Sequence, residues 1–591
     1  MINKPRHLVL SSDVRTWKFN QPVLFLGKWC LREQDRHIWE KIDAVVAKPI
    51  GVQNKEKYLL FQEARELESR IFPIFAKILN QFHGVNHDER YWKILTGHWF
   101  RTTIDILINR VRTIQSCFEE YEISSTVNYQ SSKPIFAGLS YSHAMHNAND
   151  NYWNTQLFIK IMSLLGLQSI QIETIAPEAK PLKPSPREKN QSDDGKQKFF
   201  GVCRLVASKL TRKSDALIVN SYLPIEKQFL LDIALRQIPQ WRLPPLLNMS
   251  SEIDEDIRVL LGQELENVFE QKLERIISSL LFELIPICYL EGFDKLNVQA
   301  SELKNWPKTP KFIFSSNNFV SDEVFKAWTA KKVSEGVPYV AGQHGNNYGT
   351  SRYYQNTIEE VTSDKFLTWG WKRGLPQHTP AFIFKNVSST KVSNLDGERI
   401  ILIEDLLFAR TCVWEQAEEF ERYMAEQFKF VSSLGSDIRK NLTVRLHAAH
   451  GDMLGEDDLR WRNFDKSINL DSGKVPIRTL WQESKLIVHS YDSTGMLETL
   501  EANIPTIAFW QNGLDHLVEE AIPYYELLVN AGIVHLTPEA AAYRINQVWD
   551  EVENWWNSRE VQKARKIFCS QYAHTSKKPI RDLKKILLEN I

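Results

Sequence analysis

Residues 486–510 read LIVHSYDSTGMLETLEANIPTIAFW, and this stretch decides the fold. An apolar run from Leu486 to His489 stops at a turn made by Asp492, Ser493, Thr494 and Gly495. A helical stretch follows from Thr494 to Ala502, and a second apolar run occupies Thr506 to Phe509. Runs this continuous suit strands buried on both faces, and a helix between them makes the pair parallel. Ser493 or Thr494 falls at the helix N-cap, where free N–H groups and the positive dipole end attract anions.

The same rhythm extends outward. Short β-rich runs at Lys311 to Ser315, Tyr339 to Ala341, Phe366 to Trp369, Arg399 to Ile403 and Leu442 to Leu446 precede the quoted unit. Helical patterns at Val413 to Ser432 and His516 to Ala531 lie among and after them. Alternation of this kind predicts an α/β domain over 305–550 with one mostly parallel sheet, whose ligands bind beyond the strands' carboxyl ends. Upstream, strands are expected at His7 to Ser11, Pro22 to Leu26, Ile135 to Leu139 and Ala216 to Asn220. Helices are expected at Lys55 to Phe82, Tyr91 to Tyr121 and Asp254 to Ile285. Pro177 to Lys198 has no apolar periodicity and reads as a mobile loop. Three segments follow: 1–304, 305–550, and C-terminal helices over 551–591 that return to the first.

With 591 residues the chain exceeds a single core. Its 73 Lys and Arg balance 73 Asp and Glu, so no global basic field points to nucleic acid. Six scattered cysteines lack metal or disulfide spacing, which fits reduced thiols and a cytoplasmic setting. The N-terminal apolar run is too short for a signal peptide, and Ile276 to Leu290 falls short of the ~20 residues of a bilayer span. Contact with a membrane surface is left open.

Two further strand ends carry chemistry. AGQHGNNYG, residues 341–349, brings Gln343, His344 and Gly345 together with two more glycines. Glycines let a backbone approach a phosphate, and an imidazole donates to it or moves a proton near neutral pH. TVRLHAAHGDM, residues 443–453, offers Arg445 and His447 on one strand face, a combination suited to an anion. Gly495 belongs to the turn at 492–495, and Glu498, about one turn into that helix, suits a sugar or ribose hydroxyl. His143 and His146, after an apolar run in the first half, are candidate acceptor contacts. Glu359, Glu360 and Asp364 precede a strand, and Glu360 is the candidate carboxylate base. P-loop, dinucleotide-binding, zincin and GxSxG patterns are all missing.

PVLFLGKWC (22–30), HGVNHDERYWKILTGHW (83–99), QHGNNYG (343–349) and YDSTGMLETLEANIPTIAFW (491–510) together resemble a family of transferases encoded in bacterial surface-polysaccharide and O-antigen gene clusters. The C-terminal half is similar, more distantly, to capsule Kdo transferases and to glycerophosphotransferases that use a CDP-activated donor. That resemblance implies a GT-B fold, two Rossmann-like domains facing across a cleft. Carried over by position, it makes His344, Gly345, Arg445, His447, Ser493 and Thr494 donor-site groups. Together with the residues read above, the expected catalytic set is His344, His447 and Glu360, and the expected donor-binding set is Gln343, Gly345, Arg445, Ser493, Thr494, Gly495 and Glu498. The distant relatives have His-Pro where this chain has His447 and Ala448.

The expected function is glycosyl transfer from a nucleotide-activated sugar to a glycan or lipid-linked acceptor in surface-polysaccharide or O-antigen synthesis, and the resemblance implies a CMP-linked nonulosonic or Kdo-like acid as donor. The setting would be cytoplasmic, with peripheral contact at the inner membrane, and no nucleic acid, metal or other cofactor is expected. Two alternatives stand beside it. One is CDP-polyol phosphotransfer, which needs His344 and His447 at one reacting centre. The other is a non-catalytic sugar-nucleotide-binding protein of a polysaccharide assembly complex.

Overall fold

The computed structural model describes residues 4–589 apart from 132–135, 168, 178–209, 241–244, 304, 388–394, 396, 408–409 and 451–454. The described strands form three parallel sheets, where the sequence rhythm had suggested two. The first contains β1 (Arg6–Val9), β2 (Val23–Phe25), β3 (Ala44–Val46), β4 (Ile123–Tyr129) and β5 (Gln171–Ile175), in the order β3-β2-β1-β4-β5. The second contains β6 (Leu217–Ile218), β7 (Ile313–Ser315), β8 (Tyr339–Gly342), β9 (Lys365–Thr368) and β10 (His378–Pro380), in the order β10-β9-β8-β7-β6. The third has β11 (Ile400–Ile403), β12 (Leu442–Arg445), β13 (Asn469–Asp471), β14 (Leu486–His489), β15 (Thr506–Phe509) and β16 (Val534–His535). Its order is β13-β12-β11-β14-β15-β16, so the winding direction reverses between β11 and β14.

The α/β class with parallel sheets is therefore as read from the sequence. The division of the chain differs. Leu217 and Ile218 pair with Ile313 and Phe314, so the second sheet runs straight across residue 304. The stretch 305–550 is shared between two sheets. Strand–helix alternation reports parallel pairing but not which strands share a sheet, and that is decided by long-range contacts. The strand expected at Ile135 to Leu139 comes earlier, as β4; Ile135 lies outside the described residues, and so does the loop reading from 178 onward.

All four residues of β8, β14 and β15 are buried, as strands covered on both faces must be. Two long helices, Asn54–His83 and Glu89–Glu120, leave the first sheet and reach the second. The Gly97 position shows how close they come, since a Cβ there would stand 3.0 Å from Ile358. At the far end, Leu583 and Leu587 of the helix Pro579–Leu588 enter the core of the second sheet with Leu231, Leu235 and Phe312. The helix before it, Arg559–Tyr572, stays with the third sheet, where Arg565 Nη1 donates to the Leu500 carbonyl at 2.7 Å.

Candidate active site

The carboxyl ends of β8 and β14 meet. The loop after β8 carries Gln343 to Gly349, and the turn after β14 carries Tyr491 to Ser493. The backbone N–H of Asn346 donates to Thr494 Oγ1 at 2.9 Å, and Asn346 Nδ2 donates to Asp492 Oδ1 at 2.6 Å. Asp492 also takes the Tyr525 hydroxyl at 2.8 Å and faces His516 Nε2 at 3.0 Å. A side chain at 345 would stand 3.0 Å from Thr494 Oγ1, so glycine is what lets the loop approach the turn. Two Rossmann-like units thus face one another across a crevice at their strand ends, the place where such sheets take ligands.

His344 lies in this crevice, half-buried. Its Nδ1 is 2.9 Å from the Tyr348 hydroxyl, and that hydroxyl donates to Glu359 Oε1. Burial first, and then the positive charge of Lys385, push the imidazole down to about 4. Lys385 sits 3.4 Å from Glu498 Oε1 and 4.8 Å from the centre of the Tyr222 ring. Tyr222 has a positive φ of 62°, an uncommon conformation for a bulky side chain and one that clusters at functional sites. Lys385, Glu498, Tyr222 and His344 therefore border one polar face of the crevice.

The helix Thr494–Glu501 begins as its sequence dictates. Ser493 Oγ accepts the Met496 N–H at 2.9 Å, lies 3.1 Å from His489 Nδ1 and is 1% exposed. Its hydroxyl is consumed by the cap and by His489, which leaves Thr494 and the first-turn N–H groups as the parts able to meet a ligand. Gly495 has a packing reason: a Cβ there would come within 2.9 Å of the His489 ring. Burial holds His489 neutral, down at about 3.

Other anticipated residues are placed elsewhere or occupied. Gln343 Oε1 accepts the Trp369 N–H at 2.8 Å and the Trp371 indole N–H at 2.9 Å, and its Nε2 donates to the Gly345 carbonyl. It shapes the loop from below. Arg445 pairs with Asp471 at 2.5 Å and donates to the Gly473 carbonyl. β12 is two strands from β14, roughly 10 Å at ordinary sheet spacing, so Arg445 does not join the His344 contact. His447 is exposed beyond Arg445, with Nδ1 accepting the Ala449 N–H.

Glu360 is not directed at the crevice. It closes a capping box, accepting the Thr357 N–H at 2.7 Å, and faces His378 Nε2 at 3.1 Å. Its neighbour Glu359 is the carboxylate linked to His344, through the Tyr348 hydroxyl. Successive helical residues point about 100° apart, so one position decides which of the two faces the loop. His143 and His146 are exposed on the short helix Tyr141–Asn147, with His143 Nδ1 accepting the Leu139 N–H.

Sequence reading missed Lys385, Tyr222, His98 and Asp405. Lys385 follows the apolar AFIF at 381–384, a strand-end signal that could have drawn attention. Asp405 lies just past β11 at the point where the strand order reverses; burial pushes its carboxyl up to about 6. Nearby, Ser490 Oγ donates to the Ile403 carbonyl at 2.8 Å and meets the Tyr423 hydroxyl at 2.6 Å. Among the described residues no cluster of three or more His, Cys, Asp or Glu is placed to hold a metal ion, and no helix is long and apolar enough to cross a membrane.

Among solved structures, the chain is similar to a Listeria monocytogenes protein assigned as a UDP-N-acetylglucosamine 2-epimerase, at 12% identity over 64% of this chain and 98% of that one, TM-score 0.33. It is also similar to MurG of Acinetobacter baumannii, at 10% identity over 63% and 98%, TM-score 0.27. WaaG, a glycosyltransferase involved in lipopolysaccharide biosynthesis, matches at 12% identity over 78% and 100%, TM-score 0.22. At these scores none of the three informs the function. No curated protein matches the sequence. A family model does match, over residues 6–587, which takes in all three sheets and both halves of the crevice: the chain belongs to the LIC12162 family of transferases.

Proposed function

We propose that this transferase moves a glycosyl unit from a nucleotide-activated sugar to a hydroxyl of a glycan or lipid-linked acceptor in surface-polysaccharide synthesis. The observation that carries the reading is the junction of the His344 loop with the Thr494 turn, at the carboxyl ends of two parallel sheets. The start of the helix Thr494–Glu501 offers N–H groups to the donor phosphate. Glu498 and Lys385, 3.4 Å apart, supply an acceptor and a cation for sugar hydroxyls and phosphate. His344, neutral and half-buried, is the group that takes the proton of the attacking hydroxyl. Phosphoryl transfer from a CDP-polyol is less well supported, because His447 is exposed at the end of another strand and shares no contact with His344.

The donor nucleotide we propose is a cytidine monophosphate, and the setting the cytoplasmic face of the inner membrane. The test is a thermal-shift comparison of CMP, UDP and GDP with the full chain, followed by product analysis with the sugar nucleotide that binds. A ligand that binds only the native state raises the midpoint by mass action. CMP should give the largest shift. Failure of every nucleotide to shift a correctly folded protein overturns the donor site, and a product that gains phosphorus instead of a sugar overturns glycosyl transfer.

A further inference from the structure

Behind His344 lies a chain of buried groups that the proposed reaction has not yet used. The Tyr348 hydroxyl is 2.9 Å from His344 Nδ1 and donates to Glu359 Oε1. The second oxygen, Oε2, stands 3.5 Å from His98 Nε2, and both atoms are buried without a hydrogen-bond partner. His98 comes from the long helix Glu89–Glu120, stacks on Phe319 with ring centres 5.9 Å apart, and Phe319 in turn packs on His344. The row therefore runs from the crevice to the helix that joins the first sheet to the second.

Hydrogen-bond direction gives this row its meaning. A hydroxyl has one proton, and Tyr348 gives it to Glu359, so its oxygen accepts from His344. Nδ1 must then carry the imidazole proton, and Nε2 is left with its lone pair. We propose that Glu359, acting through Tyr348, is the positioning residue that fixes this tautomer of His344 and receives the proton displaced when His344 takes one from the acceptor hydroxyl.

This rests on the glycosyl-transfer reading. The step balances: the acceptor O–H breaks as Nε2–H forms, Nδ1–H passes to the Tyr348 oxygen, and the Tyr348 proton passes to Glu359 Oε1. His344 and Tyr348 end neutral and Glu359 ends protonated. The freed electron pair on the acceptor oxygen forms the bond to the sugar carbon as that carbon's bond to the donor phosphate oxygen breaks, and the nucleotide leaves carrying the electron pair of the broken bond.

The surroundings favour that exchange. Glu359 sits at the buried start of the helix Ile358–Thr362, and burial pushes its carboxyl up to about 7. It faces Tyr348 from its own loop, Tyr354 and Tyr339, His98 and Arg101 from the long helix, Tyr141, and its neighbour Glu360. Arg101 is the cation in that set, and it is paired at 2.9 Å with Glu68. His98 is held neutral by burial and by Lys326 and Arg101. Among the described residues no ion pair with Lys or Arg therefore locks Glu359 in its charged form, and a carboxylate so placed can take up and release a proton near neutral pH.

Glu359→Gln tests the inference. Gln keeps an oxygen to accept from Tyr348 but cannot receive a proton. The variant should keep the Nδ1–H tautomer of His344, read by nitrogen NMR of labelled histidine, and keep the nucleotide-induced thermal shift. Transfer should fall by about 100-fold or more, and the acid limb of the pH–rate profile should vanish. Tyr348→Phe, which cuts the relay at its middle, should lose the tautomer preference as well as the rate. A Glu359→Gln enzyme within about twofold of the parent, with an unchanged profile, overturns the proposal. An Nε2–H tautomer in the parent protein does so too. A parent with the expected tautomer but no sugar transfer from any donor defeats the glycosyl-transfer reading and leaves the positioning role standing.

Discussion

Asn346 and Asp492 lie 146 positions apart, and their side chains meet at 2.6 Å between the second and third sheets. The bond ties the two units together beside the Asn346 N–H to Thr494 contact and the Lys385–Glu498 pair. Asp492 is shared with Tyr525 and His516, so its orientation does not depend on Asn346 alone.

Asn346→Ala should therefore loosen the junction without unfolding either unit. A buried carboxylate loses one of its donors, which costs on the order of 1–3 kcal/mol. We expect a lower thermal midpoint and a smaller nucleotide-induced shift. An unchanged response to nucleotide would separate this contact from the donor site.

Glu360→Ala should behave unlike any change at Glu359. It removes the capping box of the helix Ile358–Thr362 and the His378 contact. Loss of a cap costs about 0.5–2 kcal/mol. Denaturant midpoints should fall by that scale, while the pH–rate profile keeps its shape.

Lys385→Met should raise the proton affinity of His344, since the ammonium is one of the two causes that lower it. The other cause, burial, remains, so the imidazole should still titrate below its ordinary range. Histidine NMR titration of the two proteins checks this, and an unmoved His344 would place Lys385 too far away to matter.

Acid stability follows from His489. Its folded value is depressed to about 3, against 6.5 for an ordinary histidine. Above the unfolded value both states are neutral, and the contribution to stability is fully present. As pH falls below 6.5 the unfolded chain binds a proton that the folded one refuses, so stability drops progressively until about 3. His489→Gln should flatten the slope of the unfolding midpoint against pH in that window, and an identical slope would assign the acid sensitivity elsewhere.

The pattern of apolar runs and capping residues made most strands of the second and third sheets legible, because burial on both faces writes itself into consecutive residues. The helix after Ser493 was legible for the same reason, down to its cap. What sequence could not carry was the grouping of strands into sheets, as with β6 joining β7 across almost 100 positions. Nor could it tell Glu359 from Glu360, since the two differ only in the direction each leaves a short helix. Arg445 shows the opposite failing. A basic residue at a strand end looked like an anion contact, and its partner proved to be Asp471 on the next strand.

The return of the helix Pro579–Leu588 to the second sheet also has a consequence for biosynthesis. The last strand of that sheet, β10, ends at Pro380, yet Leu583 and Leu587 complete its core. About 200 residues must leave the ribosome in between, a delay of roughly 10 to 40 s at ordinary elongation rates. Throughout that time Leu231, Leu235 and Phe312 wait without their final covering, while the third sheet folds around its own contiguous segment. The nascent chain is therefore most exposed to aggregation and to chaperones in its middle, around the second sheet.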